Sequence, residues 1–293
     1  IIEKCPKFID DSTYSQYFDE NGNLKDDCTI VEGDTLIIGD LTNKKMVIDI
    51  PVSVKGSEGK KQVNTTISLV AGADGSSISN LDMEFYGSDV VGSKTIISIK
   101  VGDVTISNNN IKGFNFVNDD TALYGSTVVA IEAGSYDTNL DNIVITGNNI
   151  ELEGAAYYMY GIDVYAPYWI EMFDNGLNVS DNTVTINGGG RMAEAIYVSG
   201  ANDAVIDNNT VTAISDAAAY GISTDNSYGI NITDNTIDAE AGTMAHGIAV
   251  TTRGENAEIS GNTITAKGTG AIGIGLSGQN GVTIDNNNVD ITG

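Results

Sequence analysis

One short unit recurs seven times in this sequence: an apolar residue, two variable residues, Asn, one variable residue, and a second apolar residue. It is read at Thr105–Ile111, Val144–Ile150, Asn178–Val184, Val205–Val211, Asn231–Ile237, Glu258–Ile264 and Thr283–Val289. The invariant positions are Asn109, Asn148, Asn182, Asn209, Asn235, Asn262 and Asn287, spaced 39, 34, 27, 26, 27 and 25 residues apart. A period near 25 residues is too short for a pair of helices and a turn. The units are also rich in Ile, Val and Thr, which favour strands.

These constraints predict an all-β chain, a right-handed single-stranded parallel β-helix. Each coil lays short strands on those of the coil below, about 4.8 Å away. The two apolar residues of a unit point inward and stack into rows. The Asn is expected at the bend between two strands, where it tolerates a left-handed backbone. Its amide then joins the neighbouring coils, building a ladder of identical side chains.

A second recurring strand precedes each unit, at Thr95–Ile99, Val128–Glu132, Gly161–Tyr165, Ala195–Ser199, Gly221–Asp225, Gly247–Thr251 and Gly273–Ser277. Upstream, Thr35–Ile38, Met46–Ile50 and Val52–Val54 are read as the first coil, and Thr65–Val70 with Ser77–Phe85 as the second. The total is about nine coils over 35–293. Residues 1–34 lack the repeat and are expected to cap the open end, since bare strand edges invite other chains. Ser12–Phe18 is expected to form a short helix started by Ser12 or Thr13, with Tyr14, Tyr17 and Phe18 facing the first coil. Val289–Gly293 completes a repeat without a polar cap, so the natural chain is expected to continue.

Fourteen basic residues against 40 acidic ones give a formal charge of −26. Such a surface repels nucleic acids and acidic polysaccharides. No apolar run approaches the roughly 20 residues of a membrane span. With two Cys and one His, no metal site is expected, and nothing in the sequence calls for a cofactor. The glycosylation sequons at Asn64, Asn178, Asn208 and Asn231 arise readily in a chain with 30 Asn.

The long spacings 109–148 and 148–182 imply insertions at Gly113–Gly125 and Ala155–Gly176. The second holds the only Trp and five of the 13 Tyr. A tyrosine ring stacks on a sugar while its hydroxyl bonds to it. Tyr157, Tyr158, Tyr165, Tyr168, Trp169 and Tyr197, with Asp163 and Glu171, are therefore the candidate binding residues. The alternative is a polysaccharide-active enzyme, because a hydrolase needs two or three carboxylates on one face. The outward rows are Glu132, Asp163, Tyr197, Ser223, Ala249, Gly275 and Gly134, Tyr165, Ser199, Asp225, Thr251, Ser277. They bring Asp163 near Glu132 or Asp225. His246-Gly247 resembles the His-Gly of pectin hydrolases, but the accompanying motifs are missing. His246 shares its place in the coil with Tyr160, Glu194 and Tyr220, which reads as a corner position. A third reading is a structural stalk.

The opening segment Tyr14-Ser15-Gln16-Tyr17-Phe18-Asp19-Glu20-Asn21-Gly22-Asn23, then Glu32-Gly33-Asp34-Thr35-Leu36 and Ile50-Pro51-Val52, is distinctive. Together with the later Asp-Asn-Thr and Gly-Asn-Thr repeats it resembles the adhesin-like surface proteins of methanogenic archaea. The resemblance covers essentially the whole chain and implies an extracellular, cell-surface location. It also implies attachment to surface glycans or surface proteins of other cells and supplies no catalytic residue; a monomer is expected. In an exported chain, Cys5 and Cys28, both outside the repeats, are expected to form one disulfide.

Overall fold

The computed structural model describes residues 6–87, 93–118, 125–135, 137–166, 174–251 and 254–293. Their strands form three long sheets in which all neighbours run parallel, each strand pairing with its counterparts in the coils before and after. The chain visits a first, a second and a third sheet in each coil, as in Thr105–Ser107, Asn110–Phe116 and Thr127–Gly134. This is a right-handed parallel β-helix, the hand that parallel crossovers adopt almost without exception. The third sheet has nine strands, hence nine complete coils. A tenth adds only Thr283–Asp285 and Asn288–Thr292.

The apolar residues of the repeated unit stack in register. Ile106, Ile145, Val179, Ile206, Ile232 and Ile259 form one file, and Ile111, Ile150, Val184, Val211, Ile237 and Ile264 another. All are at most 1% exposed. Each such side chain contributes about 1.5–3 kcal/mol by leaving water.

The third sheet departs from simple alternation. Its register pairs skip one small residue per strand, such as Gly161, Ala195 or Gly221. That residue turns inward beside another inward residue, so the outward positions fall at 158, 160, 163 and 165 in one strand. Space there is limited: a Cβ on Gly221 would lie 2.2 Å from Ile237 Cγ2.

The seven asparagines stand in one file between the first and second sheets, and the first six are at most 1% exposed. Asn148 Nδ2 donates to Asn182 Oδ1 (3.0 Å) and to the Ile106 carbonyl (3.0 Å). Its backbone N–H donates to the same Asn182 Oδ1 (3.0 Å). Asn109, Asn182, Asn209, Asn235 and Asn262 repeat the pattern, and Asn287 receives its last pair of bonds. From Asn148 onward each Oδ1 thus accepts two N–H groups of the coil before, and Asn109 Oδ1 accepts the Leu81 N–H.

The left-handed conformation falls one residue earlier than expected. Asn108, Gly147, Asp181, Asn208, Asp234, Gly261 and Asn286 carry φ between 52° and 70°. This frees the ladder Asn to aim inward. The split accounts for the Asp-Asn and Gly-Asn pairs of the repeat.

The first coils are partitioned differently from the sequence reading. Ser53–Gly56 lies under Thr35–Ile38 in the first sheet and so opens the second coil. Thr66–Leu69 closes that coil, and Ser77–Ser79 with Asp82–Tyr86 belong to the third. The cause is Leu41–Thr42, a second-sheet strand too short to show a period.

At the N-terminus, Lys7–Ile9 adds an unforeseen strand to the first sheet. The helix is only Tyr14–Tyr17, and Thr13 at its N-cap makes no side-chain cap bond. The Asp10 carboxylate instead accepts the N–H groups of Ser12 and Thr13 (2.9 and 3.0 Å). Tyr14 and Phe18 stack at 5.0 Å and are buried, while the Tyr14 hydroxyl donates to the Lys45 carbonyl. Cys28 is half-buried against the core; Cys5, its expected partner, lies outside the described residues.

Asn235→Leu removes the acceptor of two Asn209 N–H groups and the donor to the Ile206 carbonyl. At about 1–3 kcal/mol for each orphaned buried group, a loss of roughly 3 kcal/mol or more is expected. Urea unfolding of the variant beside the parent chain measures it, and a loss under about 1 kcal/mol would contradict the ladder's structural role.

Candidate functional site on the third sheet

The skipped small residue sets two outward positions on each side of the bulge, and four coils use them for polar and aromatic groups. Glu132, Asp163, Tyr197 and Ser223 occupy one rank in consecutive coils. Val129, Tyr160, Glu194, Tyr220 and His246 occupy the next. Between the ranks opens a cavity of about 510 Å³, lined among others by Glu132, Tyr158, Tyr160, Asp163, Tyr165 and Tyr197.

The carboxyl groups here differ in their surroundings. The Glu132 carboxylate is ion-paired with Lys100 and accepts the Thr95 hydroxyl at 3.3 Å. Lys100 also donates to the Tyr165 hydroxyl at 3.1 Å. Asp163, on the adjacent rung, has one carboxyl oxygen buried with no hydrogen-bond partner among the described residues. Burial, and then the negative Glu132, push its pKa up to about 7, with Lys100 opposing. The neutral acid is therefore accessible near neutrality.

Glu194 is 4% exposed and accepts the Ser223 hydroxyl. Burial raises its pKa to about 8, and Asp163 adds to the shift. Burial likewise pushes the phenols of Tyr160 and Tyr197 up, so both remain hydrogen-bond donors. Their rings stand 6.3 Å apart.

The expected residues do not all assemble here. Asp225 accepts the Thr251 hydroxyl at 3.3 Å and does not line the cavity; Glu194 is the second carboxyl beside Asp163. Tyr157 stands at the edge, its ring 5.5 Å from the Arg191 guanidinium and its hydroxyl accepting Arg191 Nη1 at 2.7 Å. Tyr158, Tyr160 and Tyr165 lie on the regular strand Tyr158–Tyr165, not on a loop. The true extra length follows it. Nine positions separate Tyr165 from Asp174, where two separate their register partners Ser199 and Ala201. Tyr168, Trp169 and Glu171 fall in that stretch, outside the described residues. His246 is half-buried near Tyr220, its two ring nitrogens without partners among the described residues, and burial lowers its pKa.

No family model matches the chain, and no curated protein matches it. Among solved structures it is similar to the A-module of the Azotobacter vinelandii mannuronan C-5 epimerase AlgE4, at 15% identity over 88% of each chain and a TM-score of 0.30. The periplasmic alginate epimerase AlgG shows 12% identity over 97% of this chain and 83% of that one, with a TM-score of 0.35. The enzymatically active domain of bacteriophage CBA120 tailspike protein 2 shows 9% identity over 88% and 42%, with a TM-score of 0.41. At such identities the chemistry of these proteins does not carry over to this chain.

The raised carboxyls set a pH dependence of stability. Folded Asp163 and Glu194 keep a proton that their unfolded forms lose near pH 4. Between about pH 4 and 8 the folded state thus binds more protons, and stability falls as pH rises. Glu194→Gln should flatten that fall in a series of thermal melts; a slope equal to the parent's would place the proton elsewhere.

Proposed function

We propose that the protein is an extracellular polysaccharide-acting enzyme that hydrolyses a glycan bound along the outer face of the third sheet. The observation that carries this reading is the pair Glu132 and Asp163. They occupy adjacent rungs, yet one is ion-paired with Lys100 and the other keeps its proton to about pH 7. Two carboxyls with opposed environments are what acid–base cleavage of a glycosidic bond needs.

In this scheme Asp163 protonates the leaving oxygen. Glu132 acts from the neighbouring coil on the sugar carbon or on a water. Tyr158, Tyr165 and Tyr197 line the same cavity and offer rings and hydroxyls to a sugar. The net charge of −26 favours an uncharged ring at the cleavage point.

A binding-only role, the attachment that the sequence resemblance implies, is favoured by those same three tyrosines. It uses the same groove and differs in the fate of the bound glycan. Asp163→Asn separates the two. In a hydrolase it should reduce release of reducing ends from a neutral polysaccharide by about 10²–10⁴-fold and leave glycan binding in place. The parent's rate should fall as pH rises through about 7, where Asp163 gives up its proton. A parent that binds glycans and releases no reducing ends supports attachment instead.

A further inference from the structure

A second cavity, of about 890 Å³, opens at the N-terminal end of the fold, between the capping helix and the first coils. Lys44, Lys45 and Lys94 all line it. Five lysines elsewhere, Lys60, Lys61, Lys100, Lys112 and Lys267, each have a carboxylate within 3.1 Å. Lys44 reaches Asp11 only at 4.0 Å. Lys45 and Lys94 have no carboxylate partner among the described residues.

Two of the three ammonium groups also stand over aromatic rings. Lys94 Nζ lies 5.2 Å from the Phe85 ring centre and Lys44 Nζ 5.1 Å from that of Tyr14, and both rings are buried. Burial, and then the positive Lys45, lower the pKa of Lys94. Lys44 and Lys94 are half-buried and Lys45 is exposed. Positive charges gathered around one cavity favour an anion from outside.

The rim restricts which anion fits. Asp19 and Glu20 line the same cavity. The Asp19 carboxylate is occupied by the N–H groups of Asn21 and Asn23 (2.9 and 2.8 Å), and Glu20 is exposed. Two carboxylates at the rim oppose a dianion such as phosphate, whereas the exposed Glu20 accepts a hydroxyl donor readily. A single negative charge among hydroxyl groups suits both sides of the pocket.

We propose that this cavity binds the carboxylate of a uronic-acid sugar, with Lys45 and Lys94 on the anion and Glu20 on a sugar hydroxyl. The overall charge of −26 confines the ligand to a short segment, since repulsion acts wherever an acidic polymer runs beyond the lysines. The site is separate from the Glu132–Asp163 pair, and its ligand binds whether or not the protein cleaves glycans.

Calorimetric titration with trigalacturonate, with maltotriose and with inorganic phosphate tests the assignment, and thermal melts confirm that each variant is folded. The parent should bind trigalacturonate more weakly as salt rises, and should bind maltotriose and phosphate at least tenfold more weakly than trigalacturonate at low salt. Lys45→Ala and Lys94→Ala should each lower trigalacturonate affinity about tenfold, while Lys55→Ala, remote from the pocket, should not. Absence of trigalacturonate binding, equal binding of phosphate, or full affinity in both pocket variants would overturn the proposal.

Discussion

The repeated hydrogen bond from one asparagine to the next fixes how the coils sit on one another. From Asn148 onward each Oδ1 takes two N–H groups from the coil before, and each Nδ2 also reaches a main-chain carbonyl. A coil displaced by one residue would lose these bonds together and would turn its apolar residues outward. The ladder therefore holds the register of all three sheets, including the one that carries the candidate site. Its energy is local, but its geometric consequence is carried along the whole solenoid.

A fixed register makes the outer face a grid. Side chains in one rank of the candidate site are neighbours in space although 26–34 positions separate them in sequence. Glu132 and Asp163 meet because their strands are adjacent, without any loop to bring them together. The bulge at Gly161 and Ala195 then places Tyr160 and Glu194 outward beside that rank. Desolvation does the rest. Glu194 and Asp163 lie against packed neighbours and resist ionisation, while Glu132 has Lys100 beside it.

Much of this was legible in the sequence, and what escaped has identifiable causes. The Asn unit exposed the coil architecture because its period is set by stacking, which every coil must obey. The ranks Glu132–Asp163–Tyr197 and Tyr160–Glu194–Tyr220–His246 followed from aligning the strands. By sequence Glu194 is an ordinary corner residue, because its burial depends on Tyr160, Tyr220 and Ser223 in other coils. Leu41–Thr42 is two residues long and carries no pattern. The strand Lys7–Ile9 has an ordinary sequence and becomes a strand only by pairing with Thr35–Ile38. The aromatic stretch was read as an insertion, although Tyr158–Tyr165 aligns residue for residue with Met192–Ser199.

That last difference bears on how a solenoid acquires a site. A loop can place a ring anywhere, but it must be ordered to do so, at a cost in conformational entropy. A strand of the stack is already ordered by its neighbours, so an outward Tyr or Asp begins from a fixed backbone. Exchanging one outward residue leaves the inward files and the asparagine ladder untouched. The limit is dehydration, since a carboxyl between two occupied rungs loses water on both sides. Asp163 and Glu194 meet that limit in the middle of the sheet, Glu194 between Tyr160 and Tyr220 and Asp163 between Glu132 and Tyr197. Asp225, whose neighbours in its rank are Ser199 and Thr251, is flanked by small hydroxyl side chains and accepts one of them. The chemistry of an outward acid in this fold is thus decided by the residues one coil above and one coil below it.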